Sequence, residues 1–130
     1  MHPPQLLDHF THPRNAGELP APAVTVEVSN PVCGDILRLW ALWHGGVAEE
    51  VSFKARGCTA CIASGSALTE LLKGRTAPAM AALTTDEVEA AVGGLINESK
   101  HAAVLCRDGA RALSRTVSLA PAAAQKTSSP

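Results

Sequence analysis

The sequence predicts an α+β protein in which a three-stranded antiparallel sheet carries helices packed on one face. Apolar residues recur at every second position from Val24 to Val28, a period typical of a half-buried strand. A mainly apolar run precedes the glycine pair at residues 45–46 and a run with one apolar and one polar face follows it, as expected of a hairpin. After Gly57 the apolar period becomes that of helices. Because the strands precede the main helices instead of alternating with them, an antiparallel sheet is expected.

The first predicted element is a short amphipathic helix over residues 5–10. It ends before Pro13, because the residue that precedes a proline avoids the helical conformation. The first strand covers residues 24–29 and ends at Asn30-Pro31. The second strand covers residues 36–43, and the third covers residues 47–56 with one apolar and one polar face. One side of the sheet is therefore expected to face water.

The remaining elements are predicted to be helices. The first follows Cys58 and is closed by Lys73-Gly74, and a short alanine-rich segment occupies residues 78–83. Thr84 with Glu87 three residues later indicates a capping box. The last helix is predicted to open at Cys106. The three apolar stripes comprise Ile62, Leu68, Leu71 and Leu72; Val88, Ala91, Val92 and Leu95; and Cys106, Ala110, Leu113 and Val117.

Length and charge limit the organisation and the partners. The 130 residues fit one domain, assigned to residues 1–119, and residues 120–130 lack periodicity and are predicted to be a disordered tail. The net charge of −1 does not favour binding to nucleic acid or to an anionic membrane. No apolar run approaches the roughly 20 residues of a membrane span, and the first residues do not resemble a signal peptide. A cytoplasmic protein is therefore expected.

Four cysteines are the candidate functional residues, because thiols in a reducing compartment act as ligands or nucleophiles more often than as disulfides. Cys33 lies in a predicted turn, where Gly34 allows Asp35 to point toward the same centre. Cys58 precedes a helix start, where the helix dipole is expected to lower the pKa of its thiol. Three thiolates with one carboxylate oxygen can bind zinc or an iron–sulfur cluster.

Some of these residues also have simpler interpretations. Cys61 lies one helical turn after Cys58, so it is either a further ligand or a small core residue. Asp35 can also cap a turn. The two tryptophans are assigned to the core, and four histidines, at positions 9, 12, 44 and 101, are assigned to turns or helix ends.

Four segments together resemble the NifU N-terminal/IscU scaffold family of iron–sulfur cluster assembly. They are DHFTHPRNAG at residues 8–17, NPVCGD at residues 30–35, GCTACIASGS at residues 57–66, and the cysteine at position 106. The match runs from about residue 6 to residue 117, and the order and spacing of the segments carry the resemblance.

The resemblance implies a scaffold without turnover chemistry of its own. Such a scaffold receives sulfur from a cysteine desulfurase, builds a [2Fe–2S] cluster with iron, and delivers the cluster to recipient apoproteins. By motif match Cys33, Cys58 and Cys106 are the cluster ligands, and Asp35 is the carboxylate that keeps the site labile. The resemblance also makes Cys106 the persulfide acceptor.

Two departures separate this chain from IscU-type members of that family. They have a histidine directly before the last cysteine, where this chain has Leu105, so Cys61 is considered as a replacement ligand. They also have a Leu-Pro-Pro-Val-Lys motif that a chaperone recognises, whereas residues 97–105 read NESKHAAVL. Transfer through an Hsp70-type chaperone is therefore not expected.

Two other functions remain open at this stage. The first is a SufU-like sulfurtransferase in which Cys33, Asp35, Cys58 and Cys106 hold zinc and a thiol accepts persulfide. The short stretch between Cys58 and Cys106 leaves little room for the insertion typical of that branch, which favours the scaffold. The second is a dithiol oxidoreductase that uses Cys58 and Cys61, although the predicted hairpin is not the βαβ setting expected for it.

Overall fold

The structure is a computed structural model that describes residues 2–117, so the tail predicted at residues 120–130 lies outside the described residues. Among the described residues, no helix is both long and apolar enough to cross a membrane. The elements are α1 (Pro4–Thr11), β1 (Val24–Ser29), β2 (Ile36–His44), β3 (Val47–Arg56), α2 (Thr59–Leu72), α3 (Ala77–Ala81), α4 (Thr85–Ala91), a 3₁₀ turn (Asn97–Ser99) and α5 (His101–Ser114).

The three strands form one antiparallel sheet in the order β1-β2-β3, which confirms the predicted fold class. Gly45 and Gly46 connect β2 to β3 with φ angles of 63° and 81°. Two consecutive positive φ angles are typical of the hairpin turn whose twist matches that of the strands. A bulge shifts the register between Leu42 and Trp43, and it keeps both Trp43 and Ala48 on the buried side.

The buried face of the sheet packs against α2 and α5. A Cβ added to Gly65 of α2 would lie 2.7 Å from the Phe53 ring, and one added to Gly109 of α5 would lie 3.0 Å from Leu39. Gly65 is therefore needed for the close approach of α2, and at position 109 a larger residue would require the Leu39 side chain to move by a few tenths of an ångström. The opposite face is charged, and Arg38 there forms an ion pair with Glu27 at 2.8 Å.

Helix α2 is buried on almost every side, whereas the sequence predicted a single apolar stripe. Ser64, Ser66 and Thr69 are fully buried, while Ile62 and Leu71 of the predicted stripe are only half-buried. The reason is that α2 packs against α1, β3, α4 and α5 at once. Small residues allow this close packing, and they do not stand out in a pattern of large apolar side chains.

The N-terminal segment DHFTHPRNAG anchors α1 to α2. The Ser66 hydroxyl lies 2.8 Å from His9 Nδ1 and also accepts a hydrogen bond from the Arg14 amide at 2.8 Å. Asn15 donates to the Thr69 hydroxyl at 3.0 Å. Burial lowers the pKa of His9, which favours the neutral imidazole in this contact. The polar residues of the motif thus hold two helices together.

The ends of the later helices differ in part from those predicted. Thr84 caps α4 by accepting a hydrogen bond from the Glu87 amide, as expected, but the Glu87 side chain pairs with Arg75 instead of returning to Thr84. The last helix begins at His101 and not at Cys106, so the prediction that Cys106 opens it is wrong. Cys106 lies in the second turn, because the residues before it already pack helically into the core.

Replacing Ser66 with alanine is expected to destabilise the protein by about 1–3 kcal/mol, because the part-buried Arg14 amide and the buried His9 ring would lose a partner. Ser64→Ala is the matched control. Ser64 is equally buried on the same helix, and its hydroxyl has no hydrogen-bond partner within the described residues. Chemical denaturation measures both variants. Equal losses of unfolding free energy would contradict the anchoring role.

Candidate metal centre at the end of the sheet

The loop between β1 and β2 is organised by Asn30. Its side-chain oxygen accepts hydrogen bonds from the amides of Val32 at 3.0 Å and Cys33 at 3.4 Å, and its carbonyl accepts from Gly34 at 2.7 Å. Gly34 has a φ of 76°, which glycine adopts without strain. The loop leaves Cys33 exposed to solvent and turns Asp35 inward, where it is only 5% exposed.

Cys58 lies at the junction of β3 and α2. Its sulfur caps α2 by accepting a hydrogen bond from the Cys61 amide at 3.4 Å. The preceding residue, Gly57, has a φ of 149°, and a Cβ at that position would overlap the Asp35 carboxylate. Glycine at position 57 therefore allows Asp35 to lie directly beside the start of α2.

His101, the first residue of α5, completes a group with Asp35 and Cys58. Its Nε2 atom lies 3.0 Å from Asp35 Oδ2 and 3.6 Å from Cys58 Sγ, and the Cys58 sulfur lies 3.6 Å from Asp35 Oδ2. One ligand atom from each residue falls within 4.8 Å of the other two. A carboxylate oxygen, an imidazole nitrogen and a sulfur are donor types that bind zinc and iron. The arrangement can hold a cation.

The electrostatics of Cys58 differ from the prediction. Its thiol pKa is raised and not lowered: partial burial has the largest effect, and the negative charge of Asp35 acts in the same direction. The hydrogen bond from the Cys61 amide lowers the pKa, but by less. The helix N-terminus therefore does not make Cys58 a thiolate by itself. A bound cation would reverse this balance by stabilising the thiolate.

The other two helical cysteines lie in the core. Cys61 and Cys106 are each 2% exposed, so Cys106 lies in the core and not at the start of the helix where it was predicted. Burial raises the pKa of Cys61 to about 12 and also raises the pKa of Cys106. Both thiols are protonated at neutral pH in this conformation.

The structure thus brings together two of the residues predicted from sequence, Asp35 and Cys58. Cys33, Cys61 and Cys106 do not belong to the three-residue group within 4.8 Å. His101 does belong to it, although the sequence reading assigned it to a turn or helix end. The signal that could have found it is its spacing: His101 lies one helical turn before Leu105, the position where the resemblance expects a histidine.

Comparison with known proteins shows a matching family over all of the described residues. The profile of the NifU-like N terminal domain family matches residues 2–118. The chain is 39% identical over 107 residues to the bifunctional protein NifU/MnmA of Rubrobacter xylanophilus. It is 35% identical over 111 residues to the iron–sulfur cluster assembly scaffold protein IscU 1 of Archaeoglobus fulgidus. It is also 34% identical over 87 residues to the zinc-dependent sulfurtransferase SufU of Bacillus subtilis.

The coverage of these matches differs between relatives. The matched regions cover 81%, 85% and 65% of this chain, and they span 22% of NifU/MnmA, 72% of IscU 1 and 58% of SufU. A solved structure has a similar fold, with a TM-score of 0.62 at 20% identity, covering 85% of this chain and 94% of the other. It is a candidate iron–sulfur cluster assembly scaffold protein for the SUF system from Fervidobacterium islandicum.

Alkylation with iodoacetamide is expected to modify Cys33 first, then Cys58, and to leave Cys61 and Cys106 at least about tenfold slower. The thiolate is the reacting species, and its fraction falls tenfold for each unit by which the pKa is raised. Mass spectrometry of the digested protein measures each rate, and denatured protein is the control, in which the four rates should converge. Modification of Cys106 as fast as Cys33 would contradict the burial described above.

Proposed function

Because the chain belongs to the NifU-like N-terminal domain family, we propose that it is a scaffold on which [2Fe–2S] clusters are assembled. Iron and sulfur from a cysteine desulfurase are the substrates, and recipient apoproteins take the finished cluster. The observation that carries this proposal is the convergence of Asp35 and Cys58 at the end of the sheet, beside a loop that exposes Cys33. A mixed sulfur and oxygen site near solvent suits a cluster that is both bound and released.

The proposed ligands are Cys33, Cys58 and Cys106 with Asp35, and Cys61 is a further candidate. Cys33 and Cys58 are exposed, and Cys58 already lies beside Asp35, whereas Cys33 lies outside the group within 4.8 Å and must approach it to bind the same iron. Cys106 is buried, so its ligation requires α5 to shift relative to the sheet. The same shift is required for its proposed role as persulfide acceptor, because a protonated, buried thiol is a poor nucleophile.

Asp35 is proposed to keep the cluster transferable. A hard carboxylate oxygen binds iron less firmly than a soft thiolate, so the bond between Asp35 and iron is the weakest metal–ligand bond of the proposed site. Asp35 also has an alternative partner, because its Oδ2 atom lies 3.0 Å from His101 Nε2. When a cluster leaves, that hydrogen bond compensates for part of the cost of leaving the carboxylate buried.

We place the protein in the cytoplasm, where four cysteines stay reduced, as free thiols do in that compartment. A cysteine desulfurase and apoproteins are the proposed partners, and a binding and transfer role without catalytic turnover is proposed. Nucleic acid, a membrane and an Hsp70-type chaperone are not among the proposed partners.

A zinc-dependent sulfurtransferase is the second candidate function. The group formed by Asp35, Cys58 and His101 favours it, since sulfur, nitrogen and oxygen donors suit a tetrahedral zinc ion. The relative SufU bears that activity in its name. A dithiol oxidoreductase is not supported, because the pKa of Cys58, the cysteine at the helix start that would attack the substrate, is raised and not lowered. Such a thiol does not provide the reactive thiolate that a Cys-x-x-Cys enzyme needs.

Anaerobic incubation with iron, cysteine and a cysteine desulfurase is expected to turn the protein red-brown, because thiolate-ligated iron–sulfur clusters absorb visible light and zinc thiolates do not. Absorption spectra and assays of iron and acid-labile sulfide measure the product. Before iron is added, mass spectrometry of the digested protein is expected to locate the persulfide on Cys106.

Parallel reactions with Cys33→Ala, Cys58→Ala, Cys61→Ala and Cys106→Ala identify the ligands. Cys61→Ala is the internal control for a core cysteine: unchanged spectrum, yield and cluster lifetime would remove it from the candidate ligands. Colourless wild-type protein that retains one tightly held zinc ion and no sulfide would refute the scaffold and favour the sulfurtransferase. Persulfide on Cys33 alone would refute the role proposed for Cys106.

Asp35→Ala is expected to leave cluster assembly intact and to slow transfer to an apoprotein by a factor of roughly ten. The reason is that, without the Asp35 oxygen, the cluster is held by thiolates alone, which bind iron more firmly and release it more slowly. The rate of apo-ferredoxin reconstitution measures transfer, and Glu27→Ala, a carboxylate on the outer face of the sheet, is the control. A variant unable to acquire a cluster at all would make Asp35 an essential ligand.

A further inference from the structure

We propose that Cys58 and Cys61 form a redox-sensitive pair, in which an intramolecular disulfide withdraws Cys58 from the metal centre when the surrounding thiol pool is oxidised. Cys58 directly precedes the first helical residue of α2, and Cys61 lies three residues later. Both cysteines are free in the structure. The disulfide modifies the protein's own metal centre and no external substrate, so the pair is not a dithiol oxidoreductase. The inference requires a metal at Cys58, whichever metal that is.

The first turn of α2 holds the two cysteines at a separation that a disulfide can span. Thr59 and Ala60 between them are helical, and residues three apart on a helix have Cα atoms about 5 Å apart. Disulfides join Cα atoms that lie about 4.4–6.8 Å apart. The Cys61 amide donates to the Cys58 sulfur at 3.4 Å, so the Cys58 side chain already folds back over this turn. The bond can therefore close by rotation of side chains, without movement of the helix.

The two sulfurs differ in exposure as an attacked thiol and a resolving thiol do. Cys58 is exposed, whereas Cys61 is only 2% exposed, so a reagent from solvent reaches Cys58 first. Besides burial, the charges of Asp35 and Cys58 raise the pKa of Cys61, so its side chain lies near both groups. A high pKa slows the attack by Cys61, but fixed proximity compensates because an intramolecular reaction has a high effective concentration.

Oxidised glutathione, or another small disulfide, supplies the oxidising equivalents. The Cys58 thiolate attacks one glutathione sulfur, and the other glutathione leaves as a thiolate and takes up a proton. The Cys61 thiolate then attacks the Cys58 sulfur and displaces the second glutathione in the same way. Two protein thiols are thus oxidised, one glutathione disulfide is reduced to two thiols, and two protons pass from the cysteines to glutathione. Within the disulfide, Cys58 is no longer a thiolate ligand.

Metal and disulfide compete for the Cys58 sulfur, so each is expected to exclude the other. A cation at Cys58 holds the thiolate and keeps it from attacking the oxidant. By thermodynamic linkage, oxidation weakens metal binding by the same factor by which bound metal disfavours the disulfide. A loaded site is therefore protected, and an empty site closes under oxidising conditions until a thiol reductant reopens it.

The competing interpretation is that Cys61 only fills space in the core, as an alanine would. It predicts that glutathione either does not react with Cys58 or remains attached to it. Tryptic peptides separate the two interpretations. Cys58 and Cys61 fall together in the peptide of residues 57–73, whereas the other two cysteines fall in separate peptides.

The first measurement incubates metal-free, reduced protein with oxidised glutathione, alkylates the remaining thiols and digests the protein without reductant. In the wild type, the peptide of residues 57–73 is expected to lose two hydrogens and to carry neither an alkyl group nor glutathione. Cys61→Ala is expected to retain glutathione on Cys58, because the resolving thiol is absent. Cys106→Ala is the matched control, since it removes another buried cysteine and leaves the pair intact.

The second measurement titrates Zn²⁺ into reduced and oxidised protein. Both samples carry Cys33→Ala, so that glutathione on the exposed loop does not contribute. Oxidation is expected to weaken zinc binding at least about tenfold, and dithiothreitol is expected to restore the affinity. In one glutathione buffer, excess Zn²⁺ is expected to lower the equilibrium ratio of disulfide to dithiol at least about tenfold.

Two alkylated thiols in the 57–73 peptide of oxidised wild-type protein would overturn the inference. So would glutathione that remains on Cys58, a disulfide from Cys61 to Cys106, or a zinc affinity that oxidation does not change. A protein that forms the disulfide but never assembles an iron–sulfur cluster would uphold the inference and refute the scaffold function. Cluster assembly by a protein in which the disulfide never forms would do the reverse.

Discussion

The candidate site depends on the buried carboxylate of Asp35, which lies where three chain segments meet. Asp35 is 5% exposed, and burying a charged group is costly unless polar partners surround it. Its partners come from distant parts of the chain: Cys58 at the start of α2 and His101 at the start of α5. The absence of a side chain at Gly57 provides the space. One carboxylate thus holds the β1–β2 loop, α2 and α5 in register with one another.

Local sequence signals predicted the sheet well because each strand and turn is specified by neighbouring residues. The alternation of β1, the glycine pair after His44 and the Thr84 cap all act within a few residues, and the structure has them where expected. The burial of α2 was not predictable in this way. Its serines and Thr69 are buried by four surrounding elements, and only the tertiary structure brings those elements together.

The candidate site was predictable only in part, for the same reason. Asp35 and Cys58 belong to short motifs at element ends, and the sequence identified both. His101 is 66 residues from Asp35 in the chain, and it lacks a motif of its own that would link the two. Cys106 was expected to open the last helix because the helix start was placed five residues too late. Because of this one misplaced boundary, Cys106 was expected at the helix start that His101 occupies.

The hydrogen bond from the Cys61 amide to the Cys58 sulfur links a candidate metal ligand to the backbone of the central helix. An anionic sulfur accepts such a bond more strongly than a neutral thiol does, so a metal that stabilises the thiolate also strengthens the cap of α2. Helix α2 contacts α1, β3, α4 and α5, so its first turn is mechanically connected to most of the molecule. Under the proposed function, loading and unloading would therefore change the stability of the first turn of α2, and a partner protein could recognise the loaded state without touching the cargo itself.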